Sequence, residues 1–281
     1  MKTGLVLEGG GLRGVFTAGV LDALLEGNFH ADYVIGASAG AANGASYVSG
    51  QFERGLRTNT DYLRDPRYMG LRSLLLHGSL FGMDFIFREI PRRLDPFDFE
   101  AFSANPCEFV IPAIDIETGE TVYFTKDELG DDMEALRATT SLPVLAKPVA
   151  YKGRLLLDGG VGDPIPVRRA LADGCDRVVA VLTRERGYRK EPQSFRAVYR
   201  HVYRKYPAMA KALEGRHRIY NETLEFLAGL ECGGTAAVLA PPKPPEVRRV
   251  ERDREKLLAL YREGLEAGRA LLKSGFLAGE K

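Results

Sequence analysis

The chain has 281 residues, of which 45% are hydrophobic and 27% charged, and its formal net charge is +1. These values are typical of globular proteins and exclude the strongly basic balance of nucleic-acid-binding proteins. The length suits one large α/β domain, or such a domain with an appendage. The three cysteines, Cys107, Cys175 and Cys232, form no CxxC pair. Since no signal peptide or membrane-spanning run is recognisable either, we predict reduced thiols in a cytoplasmic protein.

The first predicted elements are a strand, a glycine loop and a helix. Residues 4–7 are typical of a buried strand in a parallel sheet, and apolar residues at helical spacing predict a helix over 15–26. The loop between them, residues 9–14, contains four glycines. Such a loop presents backbone N–H groups to an anion, which is either a phosphate or the oxyanion of a tetrahedral acyl intermediate.

The phosphate interpretation is the weaker of the two. Gly9, Gly11 and Gly14 fit the G-x-G-x-x-G fingerprint of dinucleotide-binding loops. That fingerprint needs an acidic residue at the end of the second strand, whereas Asp32 precedes that strand. A Walker-type P-loop is excluded because no Gly-Lys-Ser/Thr sequence follows the loop.

The second strand, residues 33–35, leads into a G-x-S-x-G pattern with Gly36 and Gly40 on either side of Ser38. Small residues that predict a helix over 39–49 follow the pattern. A serine on a sharp strand-to-helix turn is a nucleophile elbow, which needs glycines because the turn is strained and crowded. Ser38 is therefore the candidate nucleophile, at a helix N-terminus whose dipole favours developing negative charge.

Both glycine turns are expected at one edge of the sheet. In a parallel sheet the carboxyl ends of the strands lie together, which places the 9–14 loop beside Ser38. Arg13 within that loop either adds positive charge to the site or is a solvated side chain.

Residues 51–100 are too apolar to be a free loop, and we predict short helices there. They form either a helical cap over the mouth of the site, as an acyl-chain pocket or lid, or a plain insertion with its own packing. After them, strands over 109–111 and 121–125 predict a hairpin with a turn at 117–120. A helix over 132–140 follows, with Asp131 or Asp132 near its cap.

The serine needs a proton acceptor. The four histidines, at positions 30, 77, 201 and 217, do not follow strands, and each is interpreted as a surface or packing residue. Asp158 ends a predicted strand over 154–158 and is followed by Gly159 and Gly160. An aspartate can act as the base if partial desolvation raises its pKa. The alternative is an ordinary Asp-Gly turn.

Taken together, the glycine loop, the elbow and the Asp-Gly-Gly turn resemble the motifs of the patatin-like phospholipase family, bacterial members above all. The resemblance covers roughly the first two-thirds of the chain, through Leu182. It implies an α/β fold with three α/β/α layers, a mostly parallel central sheet and a helical cap insertion. It also implies a Ser–Asp dyad without histidine, in which Ser38 is the nucleophile and Asp158 the base.

The same resemblance implies an oxyanion hole made by Gly10 and Gly11 with help from Gly9 and Arg13. The implied activity is hydrolysis of a lipid or other ester, with no metal and no cofactor. A catalytically silent lipid-binding protein on this scaffold stays open, because a fold does not fix a function.

The last third, residues 185–281, matches no functional element that the sequence reveals, and we predict one domain over 1–281. Strands are predicted at 178–182 and 238–240, and a leucine stripe predicts a packing helix over 251–273. The basic stretch 184–205 predicts a helix with an aromatic stripe that includes Phe195. It either docks on an anionic lipid surface, as a peripheral contact on the inner membrane face, or packs its stripe on the core, which we favour.

Overall fold

The computed structural model describes residues 1–70, 73–74, 78–192, 194 and 196–278. An eight-stranded sheet forms the centre, and its hydrogen-bonded neighbours follow the order β5-β6-β3-β2-β1-β7-β8, with β4 paired to β3. The strands are β1 (Thr3–Leu7), β2 (Tyr33–Gly36), β3 (Glu108–Asp115), β4 (Thr121–Thr125), β5 (Val149–Tyr151), β6 (Arg154–Asp158), β7 (Arg177–Val181) and β8 (Ala236–Leu239).

Helices cover the sheet and its ends. They are α1 (Val15–Glu26), α2 (Ala39–Val48), α3 (Arg54–Thr60), α4 (Phe99–Ala104), α5 (Glu134–Thr139), α6 (Val167–Ala172), α7 (Arg196–Val202), α8 (Pro207–Cys232) and α9 (Arg254–Lys273). A π-helix spans Phe85–Leu94, and short 3-10 turns span Gly11–Gly14, Lys126–Glu128 and Gly159–Val161. No helix of the described ranges is both long enough and apolar enough to cross a membrane.

Successive side chains along the buried strands alternate in direction and form two hydrophobic cores, one on each face of the sheet. In β1, Leu5 and Leu7 belong to a core that contains α1, α2 and α9. Val6 belongs to a second core, on the opposite face, which contains α6 and α8. Side chains of successive strand residues point to opposite faces, so a continuous apolar strand has to be covered on both. The predicted three-layer α/β/α fold is confirmed.

Strand direction is mixed at one place that matters for the site. β1, β2, β3, β7 and β8 are parallel, whereas β6 is antiparallel to β3. Val110 of β3 pairs with Ile35 of β2, and Ala113, three residues further on, pairs with Asp158 of β6. β4 pairs with the other edge of β3, so β2 and β6 share one edge of β3. Since β6 runs antiparallel to β2, their carboxyl ends meet head to head there.

Most predicted local elements are confirmed, including the 15–26 helix, the hairpin with its turn, and the strand β8. The cap prediction for 132–140 is wrong, because α5 begins at Glu134 after Met133 in a left-handed conformation. Asp132 instead accepts hydrogen bonds from Arg88 and Arg92, at 2.6 and 2.5 Å. The last helix begins at Arg254, since Asp253 caps it.

The basic stretch agrees with the favoured prediction only in part. No residue of its helix α7 is buried, and Val198 and Val202 are 44% and 45% exposed. The tyrosines of the stripe do face the core: Tyr203 is buried in a third cluster with Met209, and Tyr199 and Tyr206 pack against that cluster. Phe195, which we placed on the stripe, lies outside the described residues. The 26-residue helix α8, whose bounds the sequence did not predict, also contributes buried residues to this third cluster.

Candidate active site

Ser38 lies on a strained turn between β2 and α2. Its φ of 53° and ψ of −123° are unusual for a residue with a side chain. A Cβ added to Gly36 would lie 2.6 Å from the carbonyl carbon of Gly40, and one added to Gly40 would collide with the carbonyl oxygen of Leu7. Both glycines are therefore required by close backbone contacts, as the elbow pattern predicts.

The side chains of Ser38 and Asp158 are hydrogen-bonded. Ser38 Oγ donates to Asp158 Oδ2 at 2.8 Å, and both residues are buried, with exposed fractions of 7% and 2%. The second carboxylate oxygen, Oδ1, accepts from the Gly160 N–H at 2.7 Å. The head-to-head arrangement of β2 and β6 thus joins two residues that are 120 positions apart.

Burial raises the pKa of the Asp158 carboxyl above its usual range. The positive charges of Arg216 and Arg249 and the hydrogen bonds from Ser38 and Gly160 oppose this shift. A raised pKa makes the carboxylate a stronger base toward a hydroxyl. The site therefore meets the condition on which the role of Asp158 depends.

The glycine loop lies directly against the elbow. A Cβ added to Gly9 would lie 3.1 Å from the Ser38 Cβ, and one added to Gly10 would lie 2.6 Å from Thr183 Oγ1. The Gly9 N–H donates to the carbonyl of Pro164 at 3.4 Å. In the part of the chain that the structure describes, the N–H groups of Gly10 and Gly11 have no hydrogen-bond partner. They are the free donors of this loop.

Arg13 is buried, with an exposed fraction of 8%, so the solvated alternative is wrong. Its Nε is buried without a hydrogen-bond partner among the described residues. Burial, reinforced by the charges of Arg184 and Arg249, lowers the pKa of Arg13 to about 10. A buried cation without an ion pair is costly, and it leaves positive potential beside the glycine loop.

Several residues at the site carried no recognisable motif. Thr139, fully buried at the end of α5, accepts the Ser38 N–H on its Oγ1 at 3.1 Å. The carbonyl of Ser141 accepts the Asp158 N–H at 2.9 Å. From α8, Arg216 Nε donates to the carbonyl of Gly160 at 2.6 Å. These contacts come from elements remote in sequence, so local patterns could not predict them.

Glu8 is the one missed residue with a visible signal, because it directly precedes the glycine loop. It is 3% exposed, and its carboxylate accepts hydrogen bonds from the Thr183 N–H at 2.6 Å and the Tyr220 hydroxyl at 2.8 Å. Through these hydrogen bonds, Glu8 holds the start of the loop against α8 and against the segment that follows β7. An acid at the end of a buried strand has to find such partners.

Among the described residues, no histidine hydrogen-bonds to Ser38 or Asp158. His30 and His201 are exposed, and the His217 Nδ1 lies 3.0 Å from the Glu214 carbonyl of its own helix. His77 lies outside the described residues. Within the ranges that the structure covers, no group of three or more His, Cys, Asp or Glu side chains is arranged to hold a metal ion.

The fold and this arrangement are those of α/β proteins with an elbow serine. A family model described as patatin-like phospholipase matches residues 5–171, more than half of the chain. The chain therefore belongs to the patatin-like phospholipase family. A second model, described as a domain of unknown function (DUF6363), matches residues 206–274 and so covers α8, β8 and α9.

Similar proteins include bacterial and fungal members. The uncharacterized protein YjjU of Escherichia coli is 28% identical over 207 residues, which cover 71% of this chain and 57% of YjjU. The lysophospholipase nte1 of Aspergillus terreus is 28% identical over 189 residues, 64% of this chain and 12% of that protein. The crystal structure of VipD from Legionella pneumophila aligns with 97% of this chain and 67% of its own, with a TM-score of 0.57 and 13% identity. That last likeness concerns the fold alone.

The chain spans only part of these relatives. It covers little more than half of YjjU and about an eighth of the fungal lysophospholipase.

Proposed function

We propose that this protein hydrolyses carboxylic esters of lipids through an acyl-enzyme on Ser38. The observation that carries the proposal is the buried 2.8 Å hydrogen bond from Ser38 Oγ to the Asp158 carboxylate. It is the contact through which a base activates a nucleophile. Membership of the patatin-like phospholipase family and the lysophospholipases among the relatives support a lipid ester as the substrate.

In the first step, Asp158 accepts the proton of Ser38 while Oγ forms a bond to the ester carbonyl carbon. The resulting oxyanion accepts hydrogen bonds from the free N–H groups of Gly10 and Gly11, and Arg13 adds positive potential nearby. Each such donor contributes about 3 kcal/mol to transition-state stabilisation in comparable enzymes. Collapse of the intermediate breaks the bond to the alcohol, which leaves with the proton from Asp158.

In the second step, water attacks the acyl-enzyme. Asp158 takes one proton from the water and returns it to Ser38 Oγ as the acid leaves. The dyad thus ends in its starting state, and no group beyond the chain and water enters the balance.

A cavity of about 1270 Å³ supports the cap interpretation of residues 51–100. Its walls come from that segment, for example Phe85 and Arg88, and from the stretch that includes Ser141 and Val149. Ser38 and Asp158 do not line the cavity themselves, but Ser141, which does, accepts the Asp158 N–H on its carbonyl. The mixed polar and apolar lining suits an amphiphilic substrate.

The experiment compares the purified chain with Ser38→Ala in hydrolysis of a p-nitrophenyl ester and in labelling by a fluorophosphonate. We expect Ser38→Ala to lose at least about a thousandfold in rate and to lose the label. Ser49→Ala removes another buried serine hydroxyl, one bonded to the Ser46 carbonyl, and should keep both. Equal activity in Ser38→Ala would refute the proposal, and a wild-type chain that is neither labelled nor active would favour a silent lipid-binding protein.

We also propose peripheral contact with an anionic lipid surface, as suits a cytoplasmic lipid hydrolase. The exposed Val198 and Val202 lie among the arginines of α7, an apolar and basic combination that favours such surfaces. The double variant Val198→Ser, Val202→Ser should co-sediment less with phosphatidylglycerol vesicles. Val250→Ser, at another exposed valine, should not, and equal sedimentation of all three proteins would contradict this contact.

A further inference from the structure

Four cationic side chains lie near the glycine loop, Glu8 or the dyad and form no ion pair with any described residue. They are Arg13, Lys190, Arg216 and Arg249, and none of them forms a salt bridge in the part of the chain that the structure describes. Two arginines of the same stretch behave differently.

Arg186 and Arg189 lie just before Lys190 on the chain and are exposed. Arg186 pairs with Glu231 at 2.8 Å, and Arg189 pairs with Glu225 at 2.7 Å. These two exposed arginines are therefore paired, whereas the half-buried Lys190 next to them is not. Unpaired charge in a half-buried position is unfavourable for folding, so it points to a function.

The cations are held against the catalytic loops. The carbonyl of Arg249 accepts the Leu12 N–H at 3.1 Å, and a Cβ added to Gly11 would lie 2.6 Å from Arg249 Cγ. The side-chain stem of Arg249 therefore lies on the glycine loop. Arg216 uses Nε on the Gly160 carbonyl, which leaves the two terminal nitrogens of its guanidinium without a hydrogen bond to any described residue.

Lys190 approaches from the side of α8. Its Nζ lies 4.7 Å from the centre of the Tyr220 ring, and the Tyr220 hydroxyl donates to Glu8. Burial, with the charges of Arg216 and Arg249, lowers the pKa of Lys190 to about 7. The cations are thus close enough to repel one another.

The nearby carboxylates offset only part of this charge. Glu8 and Asp158 both attract Arg216, but their oxygens already accept hydrogen bonds. Tyr220 and Thr183 bind Glu8, and Ser38 and Gly160 bind Asp158. Four cations therefore lie near only two carboxylates, which already accept hydrogen bonds. A bound anion would neutralise the excess positive charge.

We propose that Lys190, Arg216 and Arg249 form a subsite for a phosphate group of the ester substrate, beside the Ser38–Asp158 pair. The statement that the phosphate belongs to the substrate rests on the proposed function, whereas the binding of an anion at this subsite does not. Arginine guanidinium groups bind phosphate oxygens in pairs, and lysine adds a point charge. Arg216 and Arg249 lie within 206–274, so this segment would select the substrate that the first part of the chain cleaves.

The first test uses two substrates with the same acyl ester, a 1-acylglycerol 3-phosphate and the 1-acylglycerol without the phosphate. We expect the ratio of their kcat/KM values to fall at least about tenfold in Arg249→Gln and in Lys190→Gln. The matched control is Arg248→Gln, which removes an exposed arginine next to Arg249 and should keep the ratio. An unchanged ratio in both subsite variants would overturn the proposal.

The second test measures binding without turnover. Calorimetric titration of the Ser38→Ala chain with glycerol 3-phosphate should show binding that weakens at least about tenfold when Arg249→Gln is added. If no ester is hydrolysed but this binding behaves as expected, the proposed function fails and the anion site stands. If esters are hydrolysed but neither glycerol 3-phosphate nor inorganic phosphate binds, the anion site fails alone.

Inorganic phosphate distinguishes the source of the anion. If it binds as tightly as glycerol 3-phosphate while the substrate ratio stays unchanged in the variants, the site takes a free phosphate, and the assignment to the substrate is overturned. Thermal unfolding of every variant at one pH shows whether each chain is folded.

Discussion

Residues 1–182 and residues 183–278 contribute to the site in different ways. The first region supplies the reacting atoms, and the polar groups of the Ser38–Asp158 pair find their hydrogen-bond partners within it. Ser38 bonds Asp158 and Thr139, and Asp158 bonds Gly160 and Ser141. The second region supplies side chains such as Arg216 and Arg249, which approach these atoms with unpaired charge.

The difference separates geometry from electrostatics. Backbone turns position the nucleophile and the base. A Cβ added to Gly36 or Gly40 would collide with neighbouring backbone atoms, so the elbow leaves no room for side chains at these positions. The charges of the second region act through space, on the pKa of Asp158 and on what the site attracts. Substitutions in the first region should therefore abolish the chemistry, and those in the second should tune it.

The largest effect is expected for Asp158→Asn. The amide cannot accept the Ser38 proton, so kcat should fall by about a thousandfold or more. The measurement is steady-state hydrolysis of a p-nitrophenyl ester. Asp163→Asn is the matched control, because Asp163 is also an acid whose pKa is raised by partial burial, to about 6, but it accepts its hydrogen bond from Tyr123. If both variants kept wild-type kcat, the first region would not supply the base.

An intermediate effect is expected in the packing of α9 on α1. A Cβ at Gly264 would collide with the carbonyl oxygen of Phe16. Gly264→Ala should therefore lower the free energy of unfolding by about 1–3 kcal/mol, despite the better helix propensity of alanine. Gly229→Ala, in α8 with nothing within 4 Å of the added Cβ, should instead stabilise by about 0.5–1 kcal/mol.

Urea unfolding measures both glycine variants. Stabilisation by Gly264→Ala would show that α9 does not pack closely on α1 at this position.

The smallest effect on rate, and the sharpest comparison of the regions, is expected for Arg216→Gln. Arg216 opposes the raised pKa of Asp158, so its removal should raise that pKa further. Asp158 acts as a base only when ionised, and activity rises with pH through its pKa. The acid limb of the kcat/KM profile should therefore move to higher pH.

Arg216 also holds the Gly160 carbonyl, so a merely structural role would lower kcat without moving the acid limb. Arg248→Gln should leave the limb in place. If the acid limb of the profile does not move in Arg216→Gln, the role of the second region is limited to packing and positioning.

Local sequence patterns predicted the strand–loop–helix units of the first region well. The glycine loop before α1, the elbow at Ser38 and the turn at Asp158 each depend on neighbouring residues, and neighbours are what a pattern records. The helix α8 was not delimited, because its apolar residues are spread among arginines and glutamates. The cap of α5 was misplaced because Asp132 binds Arg88 and Arg92, which are 44 and 40 positions away.

By itself, the sequence determined the candidate nucleophile and the candidate base, since strained turns are local features, and the resemblance of these motifs to a family implied the layered α/β class. The tertiary structure decided that β6 runs antiparallel and meets β2 head to head, which brings Ser38 and Asp158 within 2.8 Å. It also decided which cations lie beside them. Strand pairing and charge proximity join residues that are far apart in the sequence, 120 positions for Ser38 and Asp158, and they depend on the free energy of the whole fold.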